Sequence, residues 1–107
     1  MAKLILKHEG VTLNTYILEK EVITLGRKSD NDIQLNDAVA SSNHAKITMK
    51  PNEYLEEQMD ARIEDLGSTN GTYVNGITVV KCVLRSNDQI DIGDVKMLFV
   101  EIEMRNN

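Results

Sequence analysis

Four short segments hold side chains that could do chemistry together: Gly26-Arg27, Ser41-Ser42-Asn43-His44, Ser68-Thr69-Asn70-Gly71 and Asn75-Gly76. Arg27 offers a rigid fork of donors and keeps its charge at any physiological pH. The hydroxyls of Ser41, Ser42 and Thr69 can donate to phosphate oxygens, and loop N–H groups can do the same. Asn70 adds a side-chain amide, and Gly26, Gly71 and Gly76 supply turns. Taken singly, an arginine at a strand end is usually a solvated charge and loop serines usually cap local backbone. Taken together, the residues suit a phosphate held by side chains from several loops.

Other chemistries fit less well. Ser41, His44 and Asp65 could be drawn as a triad, but hydroxyls are common in loops and no base–orienter spacing supports it. The run Asp65-Leu66-Gly67-Ser68-Thr69-Asn70-Gly71-Thr72 lacks the lysine, the glycine spacing and the following helix of a nucleotide-binding P-loop. His8 and His44 are the two histidines, with no carboxylate spacing to make a metal site. No catalysis, metal or cofactor is therefore expected. His44 is expected to hydrogen bond to loop backbone and fix its shape.

The elements that must position these residues are short strands. Leu4, Ile5 and Leu6 precede a His8-Glu9-Gly10 turn; Val11, Leu13, Thr15 and Ile17 then alternate with other residues. Val22-Ile23-Thr24-Leu25, Ile33-Gln34-Leu35 and the Ala45, Ile47, Met49 alternation follow, the last ended by Pro51-Asn52. Asn75-Gly76 between Thr72-Tyr73-Val74 and Ile77-Thr78-Val79 is the strongest hairpin signal, because a type I′ turn needs positive φ at both positions. Gln89-Ile90-Asp91-Ile92, Gly93-Asp94 and the run from Val95 to Glu101 read as strand, turn, strand. Glu53 to Met59 is ambiguous between helix and strand; a loop with one helical turn, then a strand from about Met59 to Asp65, is expected. About ten such strands predict a β-sandwich with loops gathered at its ends.

Composition sets the frame. A chain of 107 residues suits one domain (1–107), with a polar tail over 103–107. Apolar residues make up 41% and aromatic ones only 4%, so the core must be mostly aliphatic, with Met as filler. Cys82 is the single cysteine, which excludes an intrachain disulfide and reads as a small hydrophobe in Val80-Lys81-Cys82-Val83-Leu84. A net charge of −5 argues against a nucleic-acid binder. No apolar run approaches the roughly 20 residues that cross a bilayer, and the N-terminal stretch is too short for a signal peptide. A monomer with no membrane partner is expected, cytoplasmic or, in a eukaryote, nuclear.

The ordered set Gly26-Arg27, Ser41-x-x-His44, Ser68-Thr69-Asn70-Gly71-Thr72 and Asn75-Gly76, closing with Asn87-Asp88-Gln89-Ile90-Asp91-Ile92-Gly93, resembles the forkhead-associated (FHA) family over about residues 3–102. The resemblance implies an all-β sandwich of two mainly antiparallel sheets, about eleven strands in all, with ligand loops at one end. It implies a partner as well, a threonine-phosphorylated protein or peptide. By position, Arg27 and Ser41 would grip the phosphate, Thr69 would add a donor, and Asn70 would bond the peptide main chain. Ser42 stands where the family often has Asn or Arg, so its shorter side chain would reach the phosphate through water. Gly26, His44, Gly71, Asn75 and Gly76 match loop-shaping positions.

The resemblance also implies that the third residue after the phosphothreonine is read by loops near Val39, Ala40, Gly93 and Asp94, with Asp91 on the other side of Gly93. With no arginine there, an apolar residue such as Ile, Leu or Val is the expected preference. Threonine over serine would be a packing preference, one buried methyl being worth about 0.8 kcal/mol. The alternative reading is an FHA-like structural module that binds its partner without phosphate.

Overall fold

A computed structural model describes residues 1–55 and 57–101. Glu56 and the polar tail over 103–107 lie outside the described residues. Eleven strands follow in order: β1 (Ala2–His8), β2 (Val11–Ile17), β3 (Val22–Gly26), β4 (Ile33–Gln34), β5 (Ala45–Pro51), β6 (Met59–Asp65), β7 (Thr72–Val74), β8 (Ile77–Val79), β9 (Lys81–Leu84), β10 (Gln89–Ile92) and β11 (Val95–Glu101). They form a six-stranded sheet, β2-β1-β11-β10-β7-β8, and a five-stranded sheet, β4-β3-β5-β6-β9. Every pairing is antiparallel except β3 with β4.

The core lies between the two sheets and is aliphatic, as the composition requires. On one side Leu4 faces Phe99 across β1 and β11, and Ile90 faces Met97 across β10 and β11. On the other, Ile23, Ile47 and Ile63 lie in one cross-strand row. Leu4, Phe99, Ile47 and Ile63 are fully buried. Phe99 is the single phenylalanine, and burying its ring is worth about 3 kcal/mol.

Period-two patterning locates every strand except β9, whose residues read only as an apolar stretch around Cys82, and it does not always say which face is inward. The apolar members of the β2 alternation, Val11, Leu13 and Ile17, are exposed, as is every other residue of the strand except the half-buried Tyr16. β2 is an edge strand with a register shift opposite Leu6/Lys7, and Tyr16 packs against the core in their place. The ambiguous segment resolves as bends and a turn among its described residues, without the expected helical turn, and β6 starts at Met59. There the Asn52 carboxamide oxygen accepts the N–H groups of Tyr54 and Leu55, so an Asx turn outcompetes the helix. Cys82 is half-buried; burial, with Asp88 adding to it, pushes its thiol pKa up. No helix among the described residues is long and apolar enough to cross a membrane.

Strand direction sorts the connections between two ends. β3 finishes at Gly26, β5 starts at Ala45, β6 finishes at Asp65 and β7 starts at Thr72. The segments 27–32, 35–44 and 66–71 therefore gather at one end of the sandwich. The Gly93-Asp94 turn between β10 and β11 joins them.

Candidate functional site

Gly26 brings the first two of these segments together. A Cβ at this position would lie 2.2 Å from the Ser42 carbonyl oxygen and 2.8 Å from Asn31 Nδ2, so only glycine fits. The close approach lets Arg27 N donate to Ser41 O at 3.0 Å and Lys28 N to Ser42 O at 3.3 Å. Asn31 Nδ2 donates to both Lys28 O (2.9 Å) and Ser42 O (2.8 Å), and Gln34 Nε2 donates to Arg27 O (3.1 Å). The backbone under Arg27 is thus held from three sides while its side chain stays exposed. Among the described residues Arg27 forms no ion pair, although the chain carries a net charge of −5.

The third segment docks through Ser41 and His44. Thr69 N donates to Ser41 Oγ at 3.1 Å, so that oxygen already accepts one bond and its own proton remains for another acceptor. His44 is fully buried. Its Nδ1 accepts the Ser41 N–H at 3.0 Å and its Nε2 lies 2.9 Å from the Gly71 carbonyl oxygen. An N–H can only donate and a carbonyl can only accept, so the ring is the neutral tautomer with its proton on Nε2. Asn70 Nδ2 donates to Val39 O at 3.0 Å, tying the same loop to the residues before Ser41.

A carboxylate that spacing alone does not single out for this role organises the Ser68–Gly71 loop. Asp65 Oδ2 accepts the N–H groups of Gly67 and Ser68, both at 3.0 Å, while Oδ1 accepts the hydroxyls of Ser68 (2.6 Å) and Thr72 (2.8 Å). Ser68 Oγ in turn accepts the Gly71 N–H at 2.9 Å. Burial pushes the Asp65 carboxyl up, but the bonds from Ser68 and Thr72 outweigh it and the pKa lies below the ordinary value.

A second carboxylate links the segment before Ser41 to the last turn. Asp37 Oδ1 accepts the Val39 N–H at 2.8 Å and Oδ2 accepts the Asp94 N–H at 2.7 Å. Gly93 has φ of +59°, and a Cβ there would come within 2.9 Å of Asp37 Oδ2 and 3.1 Å of Val39 Cβ. The sequence signal for Asp37 is an Asx turn over Asp37-Ala38-Val39; its long-range bond to Asp94 has no local signal.

Of the residues flagged from sequence, Arg27, Ser41, Ser42, Thr69, Asn70 and Val39 come together at this end. Ala40 does not offer its side chain there; it is 2% exposed and belongs to the core. Asn75 and Gly76 form their hairpin turn with φ of +52° and +80°, at the far end of β7 from the Ser68–Gly71 loop. Asn75 bonds Gln89 and Asp88 instead, through Gln89 N to Oδ1 (2.9 Å) and Nδ2 to Asp88 Oδ1 (2.9 Å), and so fastens β7 and β8 to the start of β10. Ser68, Asp65, Asp37 and Asn31 hold the loops in place from behind.

The geometry is not that of a hydrolase. Ser41 meets His44 through its backbone N–H rather than its hydroxyl, and His44 Nε2 points to Gly71 O with Asp65 Oδ1 at 3.8 Å. The Ser41 hydroxyl and the His44 ring thus make no nucleophile–base contact. The fold and the loop cluster define a two-sheet β-sandwich that presents a hydroxyl-, amide- and guanidinium-bearing loop face at one end.

Comparison with known proteins agrees with that class. Residues 23–93 match the FHA domain, and the chain belongs to that family. It is 32% identical over 99 residues to the glycogen accumulation regulator GarA of Mycobacterium tuberculosis, covering 92% of this chain and 57% of that one. It is also 32% identical over 99 residues to the oxoglutarate dehydrogenase inhibitor of Corynebacterium jeikeium, covering 92% and 64%. The chain thus spans 57–64% of the length of these two relatives. Among solved structures, it superposes with a TM-score of 0.82 on one described for phosphothreonine-dependent FHA domain interactions, at 28% identity and 96% and 98% coverage. The FhaA FHA domain complexed with the intracellular domain of Rv3910 gives a TM-score of 0.78, at 30% identity and 92% and 99% coverage.

Proposed function

We propose that the Arg27 end of the sandwich binds an extended peptide through a phosphorylated threonine. The observation behind this reading is a guanidinium without a carboxylate partner among the described residues, set beside a Ser41 hydroxyl whose oxygen is fixed by Thr69 N and whose proton is available. A phosphate brings about −1.5 to −2 charges and three acceptor oxygens, which match that donor set. Arg27 and Ser41 grip it directly, and Thr69 contributes its hydroxyl because its N–H is already used. Ser42 acts through water.

Asn70 fixes the peptide's register. Its Nδ2 is held by Val39 O, which leaves the carboxamide oxygen to accept a peptide N–H. Val39, 41% exposed beside Gly93 and Asp94, reads an apolar residue three positions after the phosphothreonine. A short extended ligand on an open surface gives micromolar affinity. The site acts inside the cell, where threonine phosphorylation is written.

The test is fluorescence polarisation with degenerate phosphothreonine, phosphoserine and unphosphorylated peptide pools against wild type and Arg27→Ala. Binding to the phosphothreonine pool, lost in the variant, supports the reading. Folded wild-type protein that binds none of the pools overturns it in favour of a phosphate-independent module.

A further inference from the structure

The end of the sandwich away from Arg27 carries a surface that the phosphate site does not use. β1 starts there, β2 and β11 finish there, β5 ends at Pro51 and β6 starts at Met59. The length of β5, about 20 Å, separates it from His44. Two adjoining hollows of about 510 and 230 Å³ share Leu18, Glu19, Met49 and Met59. Leu18 and Met49 are their buried floor, whereas Met59 and Ile17 stand exposed as walls.

The rim has one dominant sign of charge. Glu19 and Glu21 border the larger hollow, and Glu57 and Glu101 the smaller. Lys20 lies among them but is engaged by Asp32; Lys50 at the larger hollow and the Met1 amino terminus at the smaller one are the other positive groups, against four carboxylates. Glu19 and Glu21 form no ion pair among the described residues. An apolar floor with adaptable thioether walls inside a carboxylate rim repels phosphates and anionic lipid, and it favours apolar side chains flanked by Lys or Arg.

We propose that this end is a second docking surface, for a cationic apolar segment of a partner protein, operating independently of the phosphate site. Apolar side chains of the segment seat on Leu18, Met49 and Met59. Its long basic side chains lay their stems over the methionines and place their charges at Glu19 and Glu21.

Methyl-labelled methionine NMR tests this with a short amphipathic leucine–lysine peptide as the probe and its leucine–glutamate counterpart as control. The expected result is a shift of the Met49 and Met59 methyls, with the fully buried Met97 methyl unmoved and no response to the glutamate peptide. The double charge reversal Glu19→Lys/Glu21→Lys should weaken binding about ten-fold or more, and phosphothreonine-peptide affinity should stay within about two-fold of wild type. Met59→Lys, at an exposed strand start, removes a wall independently of the rim and should also weaken binding. Silent Met49 and Met59 methyls, or equal affinity in the charge-reversed and Met59→Lys proteins, would overturn the proposal and leave only diffuse attraction to an acidic protein.

Discussion

His44 donates from Nε2 to the Gly71 carbonyl at 2.9 Å, bridging loops 27 positions apart in the chain, while its Nδ1 accepts the Ser41 N–H. One neutral ring thus sets the spacing between the hydroxyl of Ser41 and the loop carrying Thr69 and Asn70. His44→Ala leaves the part-buried Ser41 N and Gly71 O without these partners, each loss costing about 1–3 kcal/mol. Urea denaturation should show a destabilisation of about 3 kcal/mol, and affinity for phosphothreonine peptide should fall although the His44 side chain is fully buried.

Asp65 ties stability to acid pH. Its folded pKa lies below the ordinary aspartate value of about 3.9, so the unfolded chain binds more protons in the interval between the two. The stabilisation is present above the unfolded value and is lost as pH falls through the folded one. Asp32, held low chiefly by Lys20 and the Thr24 N–H, acts in the same direction. Asp65→Asn should lower stability by about 2–3 kcal/mol at neutral pH and flatten the acid limb of the melting temperature against pH.

Gly26→Ala forces a Cβ into the Ser42 carbonyl at 2.2 Å. The neighbouring atom is backbone, so relief requires parting the segments that hold Arg27 and Ser41. A loss of about 2–4 kcal/mol in chemical denaturation is expected, with weaker peptide binding at temperatures where the variant remains folded.

Replacing Arg27 by Ala should reduce phosphothreonine-peptide affinity about 30-fold or more, since truncating one partner of a charge-assisted pair costs ~2 kcal/mol or more. Arg27→Lys keeps the charge but not the fork, and should fall between the two in the same titration. Wild-type binding should also weaken as pH drops through the phosphate's second pKa of about 6. Affinity flat between pH 7.5 and 5.5 would contradict a dianion gripped by arginine.

Val39→Lys tests the reading of the third residue after the phosphothreonine. On an oriented phosphopeptide array, wild type should enrich Ile, Leu or Val there, and the variant should move toward Asp or Glu. Enrichment of acidic residues by the wild type would contradict the role given to Val39.

Legibility followed the range of the interactions. The Asn75-Gly76 turn, the Pro51 strand end and the β10–β11 hairpin at Gly93-Asp94 are set by backbone preferences within a few residues, so they stand in the sequence. The outward facing of Val11, Leu13 and Ile17 does not, because period two gives alternation but leaves open which face meets the core at an edge strand. Ala40 shows the same limit in a loop: its neighbour Val39 is exposed and it is buried, with nothing local to separate them.

The sequence by itself determined the β-sandwich class and nearly every strand, and it singled out Arg27, Ser41, Thr69 and Asn70 as the candidate set. Those features rest on residue type and on short-range backbone geometry. Only the tertiary structure decided that His44 is a neutral clamp between Ser41 and Gly71, that Asp37 joins Val39 to Asp94, and that Asn75 serves β10 rather than the loops around Arg27. Each of those bonds spans a dozen or more positions, apart from the local bonds of His44 to Ser41 and Asp37 to Val39. A hydrogen bond depends on an approach within about 3 Å, and for groups so far apart in the chain that approach exists only once the two sheets have packed.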